Sequence, residues 1–142
     1  MNNFQVVVDA GHGGSDPGAV ANGVQEKDLN LQIARYMYEQ FQNKGIPVTL
    51  IRSTDETISP TERVNRILAA YGDNPNVIII SNHINASGSA TSGAEGAEVI
   101  YALRNDDTLA KNILQAIGNQ GQVVRTYYQR RLPSDTSKDY YF

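Results

Sequence analysis

The sequence predicts an α/β protein: a mainly parallel, twisted sheet flanked by helices on both faces, in a single domain. Three observations predict it. Short β-branched runs alternate along the chain with segments of helical periodicity. The run at residues 77–80 is apolar throughout, as a strand covered on both faces must be. The 142 residues suit one domain and can bury a core without disulfides.

The elements follow in order. Residues 4–8 form a β-branched run that reads as a buried strand. A glycine-rich stretch follows, Gly11-His12-Gly13-Gly14-Ser15-Asp16-Pro17-Gly18. Across residues 28–42 the period changes: Leu29, Ile33, Met37 and Phe41 recur every fourth position, one face of an amphipathic helix. Asp28 is its expected N-cap, Gly45 its stop, and Pro47 lies beyond. Residues 48–51 are the second strand, and Ser53-Thr54-Asp55-Glu56 a turn.

A second helix is predicted over 61–70, with Val64, Ile67 and Leu68 turned inward. Asp73-Asn74-Pro75-Asn76 breaks the chain. Residues 77–80 are the expected sheet centre, and a small-residue loop occupies 86–93. Residues 97–101 read as a fourth strand. Residues 108–117 read as a third helix, with Leu109, Ile113, Leu114 and Ile117 at helical spacing. Residues 123–127 and 139–142 are weaker strands. The chain shows no internal repeat, linker or low-complexity segment.

Composition narrows the function. Apolar residues make up 40% and charged residues 19%, an ordinary globular balance. A net charge of −3 argues against a nucleic-acid surface. No apolar run reaches the roughly 20 residues of a membrane span. The opening residues lack the basic and apolar regions of a signal peptide. With no cysteine, any metal site must be built from His, Asp and Glu.

The chain has two histidines. His12 follows the first strand and His83 follows the 77–80 strand. In an open parallel sheet, C-terminal strand ends share one edge, and ligands bind there where strand order reverses. Glu26 closes the glycine-rich loop, which can fold over the same edge. Two imidazoles and a carboxylate suit catalytic zinc, which takes N and O ligands and keeps a fourth position for water. Other divalent ions would fit the same donors. The bland alternatives are a surface histidine after a strand and a solvated first-turn glutamate. A phosphate cradle is a third reading, but the loop lacks the Gly-Lys-Ser/Thr ending of a P-loop and the GxGxxG spacing.

Several segments also resemble one known family. Val8-Asp9-Ala10-Gly11-His12-Gly13-Gly14-Ser15-Asp16-Pro17-Gly18-Ala19 resembles the opening of the zinc-dependent N-acetylmuramoyl-L-alanine amidases, or type 3 amidases. Gln25-Glu26-Lys27-Asp28-Leu29-Asn30-Leu31 is similar to their second motif. Leu50-Ile51-Arg52-Ser53-Thr54-Asp55 is similar to their TR-x-x-D strand end, and Glu62-Arg63 to a helix carrying an arginine. Ser81-Asn82-His83-Ile84-Asn85-Ala86 resembles their S-x-H-x-N-A motif, and Gly96-Ala97-Glu98-Val99-Ile100-Tyr101 the strand after it.

The resemblance implies a phosphorylase/hydrolase-like fold. It implies one zinc ion per chain on His12, Glu26 and His83, and hydrolysis of the amide between N-acetylmuramic acid and L-alanine in peptidoglycan. Asn85 would shape the site. Arg52 and Arg63 would hold the fold through carboxylates such as Asp55 or Glu62.

The family also carries a general-base Glu on a late strand. Of the late glutamates, Glu95 and Glu98, neither matches that position, so the base is expected beyond Phe142. The 1–142 catalytic domain is then expected to lack its last strand and helix. An inactive zinc-containing module that binds peptidoglycan or regulates is the alternative, and a zinc hydrolase of soluble peptides a weaker one. The expected partners are the stem peptide and muramic acid, for a monomer with no nucleic acid and no membrane span. The expected place is the bacterial cell wall, reached as a phage- or lysis-released enzyme or as a trimmed secreted domain.

Overall fold

A computed structural model describes residues 4–84 and 95–140. The chain divides into two compact units, 1–86 and 87–142. The first contains β1 (Gln5–Ala10), β2 (Val20–Ala21), β3 (Val24–Gln25), α1 (Glu26–Asn43), β4 (Val48–Leu50), α2 (Pro60–Tyr71) and β5 (Val77–Asn82). The second contains β6 (Ala97–Ile100), α3 (Thr108–Asn119), β7 (Val124–Tyr128), β8 (Arg131–Leu132) and β9 (Asp135–Asp139).

In the first unit the strand order is β4-β1-β5, and β1 pairs parallel with both neighbours. Both crossovers are helical, as parallel pairing requires. Alternation along β1 sends Val6, Val8 and Ala10 to one face, where they pack with Ala34, Leu31, Met37 and Phe41 of α1. Asp9 points to the other face and meets Arg63 of α2. Helices thus cover both faces of β1, and Val7 and Val8 are fully buried.

Among the described residues the centre of the three-stranded sheet is β1, and not residues 77–80. Among the described residues β5 pairs only with β1, and Ile79 is 45% exposed. An apolar run marks a strand in a parallel sheet, but β1 is the one that has partners on both edges.

Helix α1 begins at Glu26, so Asp28 lies within the first turn and is not the cap. The amides of Glu26 and Lys27 donate to the carbonyls of Ala19 (2.8 Å) and Pro17 (3.1 Å). The folded loop thus satisfies first-turn donors that a capping side chain would otherwise take. Helix α2 has a conventional start, with Ser59 Oγ accepting from the Glu62 amide at 3.2 Å and Pro60 in the first turn. Replacing Ser59 with alanine is expected to cost about 1 kcal/mol, read from the urea midpoint.

The inward stripe expected on α2 is displaced. Val64 and Leu68 are exposed, at 53% and 46%. The rotation of this helix places Arg63 toward the sheet, where an ion pair takes the position that apolar contacts were expected to hold.

In the second unit β6 and β7 run parallel with α3 between them in sequence. Ala110 and Leu114 are the buried positions of α3, while Leu109 is exposed. The inward face thus runs through 110, 113, 114 and 117. The weak strand expected at 139–142 is placed earlier, as β9, which pairs antiparallel with β8 across Pro133-Ser134. Tyr141, Phe142 and the loop expected at 86–93 lie outside the described residues. No described helix is long and apolar enough to cross a membrane.

Candidate metal centre

Strands β1 and β5 stay in register to the pair Ala10–Asn82, and the Gly11 amide adds one more bond to the Asn82 carbonyl at 3.1 Å. His12 and His83 therefore leave adjacent parallel strands at the same edge. The chain runs from β1 to β4 on one side and returns to β5 on the other. That reversal makes the crevice beside β1 the expected ligand position.

His12 occupies the left-handed region, with φ of 61°. This conformation is uncommon for a residue with a side chain and persists where surroundings enforce it. The Gly13 and Asp16 amides and carbonyls bond each other at 2.9 and 3.1 Å. The loop is anchored from outside as well. Gly14 N donates to Asp55 Oδ1 at 2.7 Å, and Lys27 Nζ donates to both Gly14 O and Asp55 Oδ2. The Ser15 amide donates to Thr57 Oγ1 at 2.9 Å.

Glu26 arrives by a hairpin. Asn22 and Gly23, with φ of 52° and 77°, turn β2 into β3 as a type I′ pair does. The chain then enters α1 with Glu26 as its first residue. Glu26 Oε2 accepts from the Ala19 amide at 2.9 Å. Its Oε1 accepts from the Ile84 amide at 2.8 Å and from Asn30 Nδ2 at 3.2 Å. Burial pushes this carboxyl up, but the Ala19 and Ile84 amides, Asn30 and His12 together outweigh it and hold it below its ordinary value.

Glu26 Oε1 lies 3.3 Å from His12 Nε2 and 3.2 Å from His83 Nδ1. One ligand atom from each of the three residues falls within 4.8 Å of the others. Ligand atoms about 2.0–2.1 Å from zinc at tetrahedral angles lie about 3.3–3.4 Å apart, so both His–Glu separations match an edge of that tetrahedron.

The backbone approaches the ligand side chains closely at Gly18. A Cβ on Gly18 would lie 2.6 Å from His12 Cδ2 and 2.7 Å from Glu26 Oε2, and Gly18 itself has φ of 63°. The donor set suits a divalent metal electrically too. Burial, then the neighbouring His12, push His83 down against the opposing pull of Glu26, which favours the neutral, ligating imidazole.

Asp16 orients His12: its Oδ2 lies 2.8 Å from His12 Nδ1, which leaves Nε2 facing Glu26. The bond from His12 holds the Asp16 carboxyl below its ordinary value, against the effect of burial. Its other oxygen accepts from the Gly18 amide at 3.1 Å. Replacing Asp16 with asparagine keeps only one acceptor oxygen. Zinc affinity measured by competition with a chelator dye is expected to fall about 10–100-fold.

Sequence reading did not single out Asp16 or Asn30. The available signals were their spacings, four residues after His12 and four after Glu26 on one helix face. Arg52 and Arg63 lie beside the site with partners other than Asp55 and Glu62. Arg52 donates only to carbonyls in the hydrogen bonds it makes, those of Ala10, Gly11, Lys27 and Thr54. Arg63 pairs with Asp9. Asp55 pairs with Lys27, and Glu62 with Arg66. Asn85 lies outside the described residues. Glu98 is engaged by Arg125 at 2.7 Å and by the Tyr128 hydroxyl at 3.3 Å, and Glu95 is exposed.

The sequence profile of the N-acetylmuramoyl-L-alanine amidases matches residues 6–137. The chain belongs to this family. YqiI of Bacillus subtilis (strain 168) is 37% identical over 126 residues, which are 88% of this chain and 56% of that protein. The N-acetylmuramoyl-L-alanine amidase LytC of the same organism is 34% identical over 112 residues, 79% of this chain and 21% of LytC. The chain thus spans about half or less of these curated relatives. The crystal structure of an N-acetylmuramoyl-L-alanine amidase from Clostridium difficile 630 superposes with a TM-score of 0.77 at 29% identity, covering 90% of this chain and 70% of that one. The α/β amidase fold, with its parallel sheet and flanking helices, is thereby established for this chain.

Proposed function

We propose that this amidase-family chain binds one zinc ion through His12, Glu26 and His83. With it the chain hydrolyses the amide between the lactyl group of N-acetylmuramic acid and L-alanine of the peptidoglycan stem peptide. It acts at the bacterial cell wall as a monomer. The observation that carries the reading is the meeting of the three ligand atoms within 4.8 Å at the β1–β5 edge.

Zinc supplies two things when bound: it makes water far more acidic, and it polarises the amide carbonyl. The chain's own residues do the rest. The Ala19 and Ile84 amides keep the Glu26 carboxylate ionised and aimed. Asp16 fixes which nitrogen of His12 faces the site. The glycine backbone at 11 and 18 lets the ligands converge without side-chain interference. Asn85 is proposed to shape the site through side-chain hydrogen bonds. The general base of the family pattern is assigned to none of the described residues, because Glu98 is committed to Arg125 and Tyr128.

The test is digestion of purified sacculi by the zinc-loaded protein. New free amino termini on L-alanine, with intact glycan strands, are expected by amine labelling and mass spectrometry. A zinc-loaded, folded protein that binds sacculi and releases no N-terminal alanine would sink the hydrolytic reading in favour of a binding module. Preferential cleavage of free peptides would sink the substrate assignment.

A further inference from the structure

Asp9 is a carboxylate 2% exposed near the C-terminal end of a mainly apolar strand. Burying a charge there is unfavourable unless it is fully partnered, and well-packed apolar residues often serve stability as well or better. Its partners therefore call for a reason other than stability. Asp9 Oδ1 takes the Arg63 guanidinium of α2, and Asp9 Oδ2 accepts from Ser81 Oγ of β5 at 2.9 Å.

These partners reach toward both histidines. Ser81 sits directly opposite Asp9 in the β1–β5 register, and His83 follows it by two residues. A side-chain bond across that pair supplements the last rungs of the ladder, where β5 has no second neighbour among the described residues. Arg63 also reaches the other arm. Nη1 also donates to Ala10 O at 2.9 Å, and Nη2 donates to His12 O at 3.0 Å. The His12 peptide so held belongs to a residue in the left-handed region. One buried carboxylate and one guanidinium thus tie together the strand ends that carry both imidazoles.

We propose that Asp9, Arg63 and Ser81 form a yoke that sets the spacing of His12 and His83. Arg63 is the positioning residue for His12, and Ser81 for the strand end that bears His83. None of the three belongs to the ligand set: Arg63 acts through the His12 carbonyl, and Asp9 and Ser81 act through the strand ends that lead to the ligands. A site of this kind needs its ligands held within about 0.5 Å. The guanidinium reaches Asp9 and Ala10 O from one nitrogen and His12 O from another, a span that lysine's single ammonium nitrogen does not reproduce. The inference rests on the zinc reading above.

The test measures zinc affinity and the visible spectrum of the cobalt(II)-substituted protein, at temperatures where circular dichroism shows each variant folded. Arg63→Lys keeps a charge for Asp9 but loses the grip on His12 O. It is expected to weaken zinc binding about 10–100-fold and to shift the cobalt bands. Ser81→Ala is expected to weaken it about 10-fold. Ser59→Ala removes the capping hydroxyl of α2 but keeps the carbonyl that accepts from the Arg63 amide, and is expected to leave both readouts unchanged.

A folded Arg63→Lys with affinity within about twofold of wild type and unshifted bands would overturn the yoke. So would a Ser59→Ala that loses zinc equally, since general destabilisation would then explain the effect. If Arg63→Lys does not fold, Ser81→Ala decides by the same criterion. A folded wild type that takes up neither zinc nor cobalt removes the metal reading itself and the yoke with it. Yoke variants indistinguishable from a metal-binding wild type remove only the yoke.

Discussion

Replacing Arg52 with methionine is expected to lower unfolding free energy by at least about 3 kcal/mol. Arg52 is fully buried, and methionine keeps most of its apolar stem. What disappears is the guanidinium. It donates to Thr54 O and Lys27 O at 3.0 Å, to Gly11 O at 3.2 Å and to Ala10 O at 3.3 Å. These carbonyls come from the end of β1, the first turn of α1 and the segment after β4, so one side chain stitches three parts of the first unit together. Ala10 O keeps Arg63, Gly11 O keeps Asn30 and Thr54 O keeps the Glu56 amide, so the loss is that of the hydrogen bonds to a charged donor, about 1.5–3 kcal/mol each and not additive in full. Lysine is expected to recover little, because one ammonium cannot span the four carbonyls. The measurement is the urea midpoint of each variant with the slope checked for constancy. A loss below about 1 kcal/mol would mean that water replaces the guanidinium and that the centre is not closed around it.

Gly11→Ala is expected to abolish metal binding while leaving the fold in place. Nothing about the Gly11 backbone demands glycine, since its φ is not positive. The demand comes from across the crevice. A Cβ would lie 2.3, 2.4 and 2.6 Å from His83 Cε1, Nε2 and Nδ1. The ring must swing away, and it cannot do so and stay 3.2 Å from Glu26 Oε1. Zinc affinity is expected to fall by at least about 100-fold. The stability cost is that of an overpacked site, about 1–3 kcal/mol. Gly118→Ala is the control, because its nearest foreign atom is Val124 Cγ1 at 3.4 Å, an ordinary contact. Zinc titration of both variants checks the prediction. Wild-type affinity in Gly11→Ala would mean that His83 is not held against that backbone.

The sequence is most informative where one local pattern decides the outcome. Matched positions of His12 and His83 after two β-branched runs foretell their meeting, because parallel strands end on one edge whatever lies between them. Glu26 follows from the same logic, since a glycine-rich loop can return the chain to that edge.

The misreadings have a common origin in partners distant along the chain. Residues 77–80 and the valines of β1 look equally central, and only the pairing β4-β1-β5 separates them. Asp28 has the right side chain to cap α1, but carbonyls at 17 and 19 reach the amides first. Arg63 has Glu62 beside it in sequence, yet the buried Asp9 is its counter-ion. The Asn22-Gly23 turn carries a legible hairpin signal, but strands of two residues are too short to show alternation. β9 reads Asp-Thr-Ser-Lys-Asp, with no apolar face to mark it.

Zinc content per chain after dialysis, for wild type and for His83→Ala, bears most directly on the centre. One zinc per wild-type chain and almost none in a folded His83→Ala are the expected values. A folded wild-type protein that retains no zinc would contradict the His12, Glu26 and His83 assignment and leave the amidase fold without its metal.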